Sequence, residues 1–94
     1  MKHFVVYMLC SGRNGTLYIG VTSDLKKRVF EHKSKFVEGF TGKHGIDKLV
    51  WYELHENAQS AIVREKQLKK WMRSWKVELI EKFNPYWNDL YENL

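Results

Sequence analysis

Two charged residues fall where a helix turns its apolar side inward. In "DLKKRVFEH", residues 24–32, Leu25, Val29 and His32 share a face, and Arg28 borders it at roughly 60° from Leu25, given ~100° per residue. Further on, Ala58, Ala61, Leu68 and Met72 form a second stripe, with Glu65 close to its middle by the same arithmetic. A buried charge without a partner costs several kcal/mol, so each must be engaged. Two engagements are open. Arg28 and Glu65 could pair across the helices as a structural bridge, or they could line a metal or phosphate site. Magnesium commonly takes one or two protein carboxylates and fills its shell with water and phosphate oxygens, while arginine grips phosphoryl oxygens in a two-pronged fashion. Tyr7 and Tyr18 lie in strand-like segments, where a tyrosine ordinarily packs.

The elements that must hold these residues can be read from pattern. "HFVVYML" and "TLYIGV" are rich in β-branched and aromatic residues and flank "CSGRNG", where Asn14-Gly15 suits a hairpin turn. Ser23 or Asp24 can cap a helix to about Lys35, which would add Phe36 to its apolar face. Residues 34–47 contain Gly39, Gly42 and Gly45 and show no sustained period, which predicts a loop able to border a site, in which Lys43 and His44 are no more than candidate substrate contacts. "KLVWYEL", 48–54, is a third strand. Asn57 or Ser60 opens a second helix to about Arg73, and a third, from Ser74 to Phe83, stops at Asn84-Pro85. The expected fold is one α/β domain over residues 1–94, with a three-stranded mixed or antiparallel sheet flanked by helices in the order ββαβαα.

Charge narrows the partners. Sixteen Lys and Arg against 11 Asp and Glu give +5 and a pI near 9.4, which favours a polyanion, with nucleic acid ahead of an anionic membrane. Lys66, Lys69 and Arg73 share a helical side beside Glu65, Lys70 lies at its edge, and Trp71 and Trp75 are interleaved. That pattern predicts either a ridge for DNA phosphates or a solvated basic side over core tryptophans. Cys10 is the single cysteine, so a disulfide framework is excluded and a reducing, cytoplasmic setting is expected. No apolar run approaches the ~18 residues of a membrane span. Structural-zinc spacing, a Walker loop and a Gly-x-Ser-x-Gly elbow are all missing.

"VVY" at 5–7, ten intervening residues, "YIG" at 18–20, "DLKKRVFEH" at 24–32 and Glu65 in "AIVREKQLKKW" together resemble the GIY-YIG nucleases over essentially the whole chain. Val5-Val6 replace the Gly-Ile of the first motif. The resemblance implies a DNA endonuclease using one Mg2+ or Mn2+ ion. It assigns Tyr7 to activating or orienting water, Tyr18 to an active-site hydrogen bond, Arg28 to the transferring phosphoryl group and Glu65 to the metal. His32 would assist or serve as the base instead. Asn84 and Asn88 stand as candidates for an asparagine many members carry downstream of the glutamate. A monomer is expected, acting on DNA, with RNA and a specificity-giving partner protein as further possibilities. The competing readings are a nucleic-acid-binding module with weak or lost cleavage, and a basic interaction subunit of a repair complex.

Overall fold

The computed structural model describes residues 3–34 and 45–94. Strand β1, Phe4–Cys10, is buried along almost its whole length because it lies in the centre of an antiparallel sheet of order β2-β1-β3. A strand covered on both faces has no solvated side, so its sequence is a continuous apolar run rather than an alternation. β2, Leu17–Thr22, pairs with it through a hairpin that sets Tyr7 opposite Gly20 and Leu9 opposite Tyr18. In the turn Asn14 takes the left-handed conformation (φ 59°), which asparagine tolerates better than most side chains. Gly15 is needed for space instead: a Cβ there would lie 2.3 Å from the Ser11 hydroxyl.

β3, Lys48–His55, pairs on the other side of β1, with Tyr7 opposite Tyr52. The register shifts between Met8 and Leu9, so that Met8 faces Trp51 and Leu9 faces Leu49. Helix α1, Leu25–Lys33, is capped by the Asp24 carboxylate, which accepts from the Lys27 N–H. Helix α2, Ala58–Lys70, is capped by Asn57, and helix α3 spans Arg73–Phe83. The order ββαβαα is as expected, and the sheet is wholly antiparallel.

The break between the last two helices falls earlier than the sequence suggests. Trp71 and Met72 have extended backbone (ψ 150° and 149°), so Arg73 opens α3 instead of ending α2. Trp71 packs against the core there, and tertiary burial has overridden a lysine-rich run that carries no Gly or Pro to mark a stop. The first helix closes at Lys33; Lys35, Phe36, Gly39, Gly42, Lys43 and His44 lie outside the described residues.

The sheet separates two apolar clusters. Val6, Met8, Cys10, Ile19, Val50 and Trp51 meet Ala61 and Leu68 of α2 and Ile80 of α3. Tyr7, Leu9 and Leu49 meet Val29 of α1, Ile46, and Leu90, Tyr91 and Leu94 of the C-terminal segment. That segment is tied down by polar contacts. Asp89 pairs with Lys33 at the end of α1 and accepts from the N–H groups of Leu49 (3.2 Å) and Tyr91 (3.1 Å). Burial alone would raise the Asp89 carboxyl, but Lys33 and those two N–H groups outweigh it and hold it below the usual carboxylate range. Among the described residues no helix is long and apolar enough to cross a membrane.

Candidate active site

Gly20 is the place to begin, because its missing side chain makes room for Tyr7. A Cβ on Gly20 would lie 2.6 Å from the Tyr7 hydroxyl oxygen and 2.7 Å from its Cζ, closer than real Cβ contacts come. The Tyr7 ring therefore crosses β2 above the glycine of "YIG" and delivers its hydroxyl to α1. There it lies 3.2 Å from His32 Nε2. Tyr18, two residues before Gly20 on the same strand, completes a triangle of rings: 6.3 Å from Tyr7 and 5.4 Å from His32, with 6.1 Å between Tyr7 and His32.

Tyr7 is 1% exposed and His32 2%. Burial pushes the Tyr7 phenol up to about 12; a hydrogen bond from Arg28 opposes the rise, while the negative ends of Tyr18 and Glu65 add to it. The same hydrogen bond to Tyr7 raises Arg28 above its ordinary value. His32 is lowered, first by burial and then by the positive charge of Arg28. Arginine only donates, so the phenol oxygen accepts from Arg28, and in the tautomer that leaves Nε2 of the neutral imidazole unprotonated the phenol gives its own proton to that nitrogen.

Arg28 is half-buried and also reaches Glu31 Oε1 at 3.3 Å. It opens onto a cleft of about 190 Å³ lined by Thr22, Ser23, Asp24, Lys27, Arg28 and Glu31. The cleft is polar: two cations and two hydroxyls able to meet phosphate oxygens share it with the carboxylates of Asp24 and Glu31. Glu65 pairs with Lys69 at 3.4 Å across one helical turn; no ion pair joins it to Arg28 among the described residues, so the purely structural bridge is not formed. Its charge nevertheless adds to the rise of the Tyr7 phenol, as the smallest of the contributions.

The structure thus gathers Tyr7, Tyr18, Arg28 and His32 around one point, with Glu65 acting on Tyr7 through its charge. The basic residues divide. Lys66, Lys69 and Lys70 are exposed along α2, whereas Arg73 donates from Nη2 to the carbonyls of Asn14 (2.8 Å) and Gly15 (2.6 Å) and so pins the hairpin turn. Asn84 is buried and structural: its amide donates to the Val50 and Asn88 carbonyls and its oxygen accepts from the Asn88 N–H. Sequence reasoning passed over Glu31 as the partner of Arg28, the hydroxyls of Thr22 and Ser23, and the steric reason for Gly20; a tyrosine opposite a glycine on the neighbouring strand was the available signal for the last.

Comparison with known proteins identifies the family. A family profile described as the GIY-YIG catalytic domain matches residues 3–78. The chain is 36% identical to a UPF0213 protein of Syntrophus aciditrophicus over 89% of its own length and 94% of that protein's. It is 35% identical to a UPF0213 protein of Clostridium perfringens, covering 83% and 82% of the two chains. The solution structure of a UPF0213 protein from Bacillus halodurans superposes with a TM-score of 0.50 at 26% identity, over 86% of this chain and 84% of that one.

Proposed function

Because the chain belongs to the GIY-YIG nuclease family, we propose that it is an endonuclease that hydrolyses phosphodiester bonds in DNA with one Mg2+ or Mn2+ ion held at Glu65. The observation that carries this reading is the placement of the buried Tyr7 hydroxyl between the Arg28 guanidinium and the neutral His32 ring. A phenol at about 12 is protonated at neutral pH and cannot act as a base alone. Coupled to a neutral imidazole it can take a proton from water while passing its own to His32 Nε2, a positioned relay of the kind general-base catalysis uses. The activated water oxygen attacks phosphorus, the bond to the leaving oxygen breaks, and that oxygen takes a proton from solvent.

Arg28 lines the polar cleft and is the donor for the charge that develops on the phosphoryl oxygens. Tyr18 holds the other two rings in place and sets the edge of the site. Glu65 fits a magnesium-type ligand: it is a single carboxylate, its side chain is 19% exposed, and its partner is an exposed lysine one turn away, a pairing worth little in water and easily exchanged for a cation. Among the described residues no group of three or more His, Cys, Asp or Glu could hold a metal by itself, so substrate phosphate and water would complete the shell. A bound ion would supply charge neutralisation at the phosphate.

The test is a cleavage screen over plasmid, single-stranded, flapped and branched DNA, and RNA, with Mg2+ or Mn2+. Arg28→Ala should slow single-turnover cleavage by about 10²- to 10³-fold, the usual loss for one transition-state donor. Glu65→Gln should abolish cleavage at every metal concentration while leaving the metal-free fold as stable as before. Cleavage that survives both substitutions, or that proceeds in chelator, defeats the assignment.

A further inference from the structure

On the far flank of α2 from Glu65 lies a groove of about 330 Å³ lined by Trp71, Trp75, Glu78, Leu79 and Lys82. Four of these residues recur along α3 at helical spacing, so one side of that helix carries Trp75 and Leu79 beside the charges of Glu78 and Lys82. Trp75 is 51% exposed. The Trp71 and Trp75 rings stand nearly perpendicular (85°, centroids 6.0 Å apart) and make a right-angled aromatic corner. The Arg64 guanidinium covers Trp71 at 5.3 Å. Glu78 is paired with Lys82 at 3.3 Å and Arg64 with Glu53 at 3.1 Å, so the charges beside the rings are balanced, and the nearby exposed cations outside any ion pair among the described residues are Lys66 and Lys70 of α2. The volume is ample for a flat ring of nucleobase size.

The path from the active site to this corner is cationic. Turning about the α2 axis at ~100° per residue, Lys69, Lys66 and Lys70 fall in that order on the exposed arc between Glu65 and Trp71. The rise from Glu65 to Trp71 is only about 9 Å at ~1.5 Å per residue. We propose that the Trp71–Trp75 corner binds an unpaired nucleobase near the scissile phosphate, with the three lysines carrying the intervening backbone, so that the preferred substrate is single-stranded or contains an unpaired nucleotide. This rests on the nuclease reading above for its link to cleavage, and on the groove alone for base binding. Charge complementarity decides the occupant: a track of exposed lysines leading to an aromatic corner is the means by which proteins hold single strands without reading sequence. An apolar peptide would gain nothing from the lysine arc.

The experiment is metal-free binding of the full chain, followed by tryptophan fluorescence and by anisotropy of labelled strands. Three probes are compared: oligothymidylate, an abasic strand of the same length, and a blunt duplex. Oligothymidylate should quench tryptophan emission and bind about 5- to 150-fold more tightly than the abasic strand, the fold-change equivalent of the ~1–3 kcal/mol that stacking one base contributes. Trp75→Ala should remove that difference and Trp75→Phe should restore part of it. Equal affinity for the thymidylate and abasic strands overturns the proposal, as does base-dependent binding indifferent to Trp75→Ala. Self-association at micromolar concentration that Trp75→Ala abolishes would also overturn it, by giving the groove to a second copy. Base-dependent binding without cleavage in the screen would sink the nuclease reading and leave the groove assignment standing; cleavage without base-dependent binding would do the reverse.

Discussion

Strand β1 sends Val6, Met8 and Cys10 to one face of the sheet and Tyr7 and Leu9 to the other. The first face is closed by Ala61, Leu68 and Ile80 and carries no ionisable group among its buried members except the Cys10 thiol. The second buries a phenol beside an imidazole under the half-exposed Arg28. One strand therefore serves a face that only needs to be apolar and a face on which every polar atom needs a partner. The lesson is that stability and chemistry are divided by the two-residue repeat of the strand, and substitutions one position apart should fail in different ways.

The largest effect should come from the apolar face. Met8→Ala empties fully buried volume and should destabilise the domain by about 2 to 5 kcal/mol. Denaturant unfolding should show this with the cleavage rate of the remaining folded fraction unchanged; a fall in that rate would mean that the faces are coupled. Next comes the anchor under the site face. Asp89→Ala strands the Leu49 and Tyr91 N–H groups and frees Lys33, at a cost of about 1.5 to 3 kcal/mol. Because Lys33 ends the helix that carries Arg28 and His32, single-turnover cleavage should slow as well, and loss of stability alone would remove Asp89 from any part in positioning the site.

Gly20→Ala sharpens the contrast, since its Cβ would strike Tyr7 and little else. Overpacking of this kind costs about 1 to 3 kcal/mol, and displacement of the hydroxyl should reduce cleavage further than the unfolding data explain. Tyr7→Phe combined with Gly20→Ala tests the route: if the two rate losses simply multiply, the glycine does not act through the tyrosine.

The smallest effect is in pH. His32 is lowered from 6.5 by burial, so below 6.5 the unfolded chain binds the proton more readily than the folded one. Its contribution to stability is complete above 6.5 and is lost as pH falls towards the folded value. Cleavage should follow the protonation of the same ring, falling on the acid side and flat above neutrality, because Tyr7 at about 12 does not titrate there. A rate that climbs steadily from pH 7 to 10 would return the base role to the phenolate, and His32→Ala should erase the acid limb in stability and rate alike.

Much of the site was legible because its residues follow local rules. The runs "FVVYMLC" and "LYIGVT" announce the hairpin, the 25–29–32 spacing announces the inward face of α1, and an arginine and a glutamate on apolar stripes announce themselves as engaged. Contacts that depend on distant pairing were not legible. Lys33 and Asp89 are 56 residues apart, and no periodicity links the end of a helix to a C-terminal turn. Helical spacing groups Arg73 with Lys66 and Lys69, but it does not show that Arg73 donates to carbonyls in a turn 58 and 59 residues earlier. Gly20 was visible as a letter of a motif, but only the cross-strand register to Tyr7 shows why no other residue fits there.

The single thiol of the chain is fully buried in the central strand, and burial raises it above its ordinary value. A maleimide or disulfide reagent should therefore ignore the folded protein. This makes Cys10 a clock. Its rate of modification reports how often the centre of the sheet opens, by the same logic as amide exchange, and at moderate reagent concentrations it measures the opening equilibrium directly. It also leaves the surface clear, so that one cysteine placed at Lys70 would be the only reactive label for following a strand of DNA across the protein.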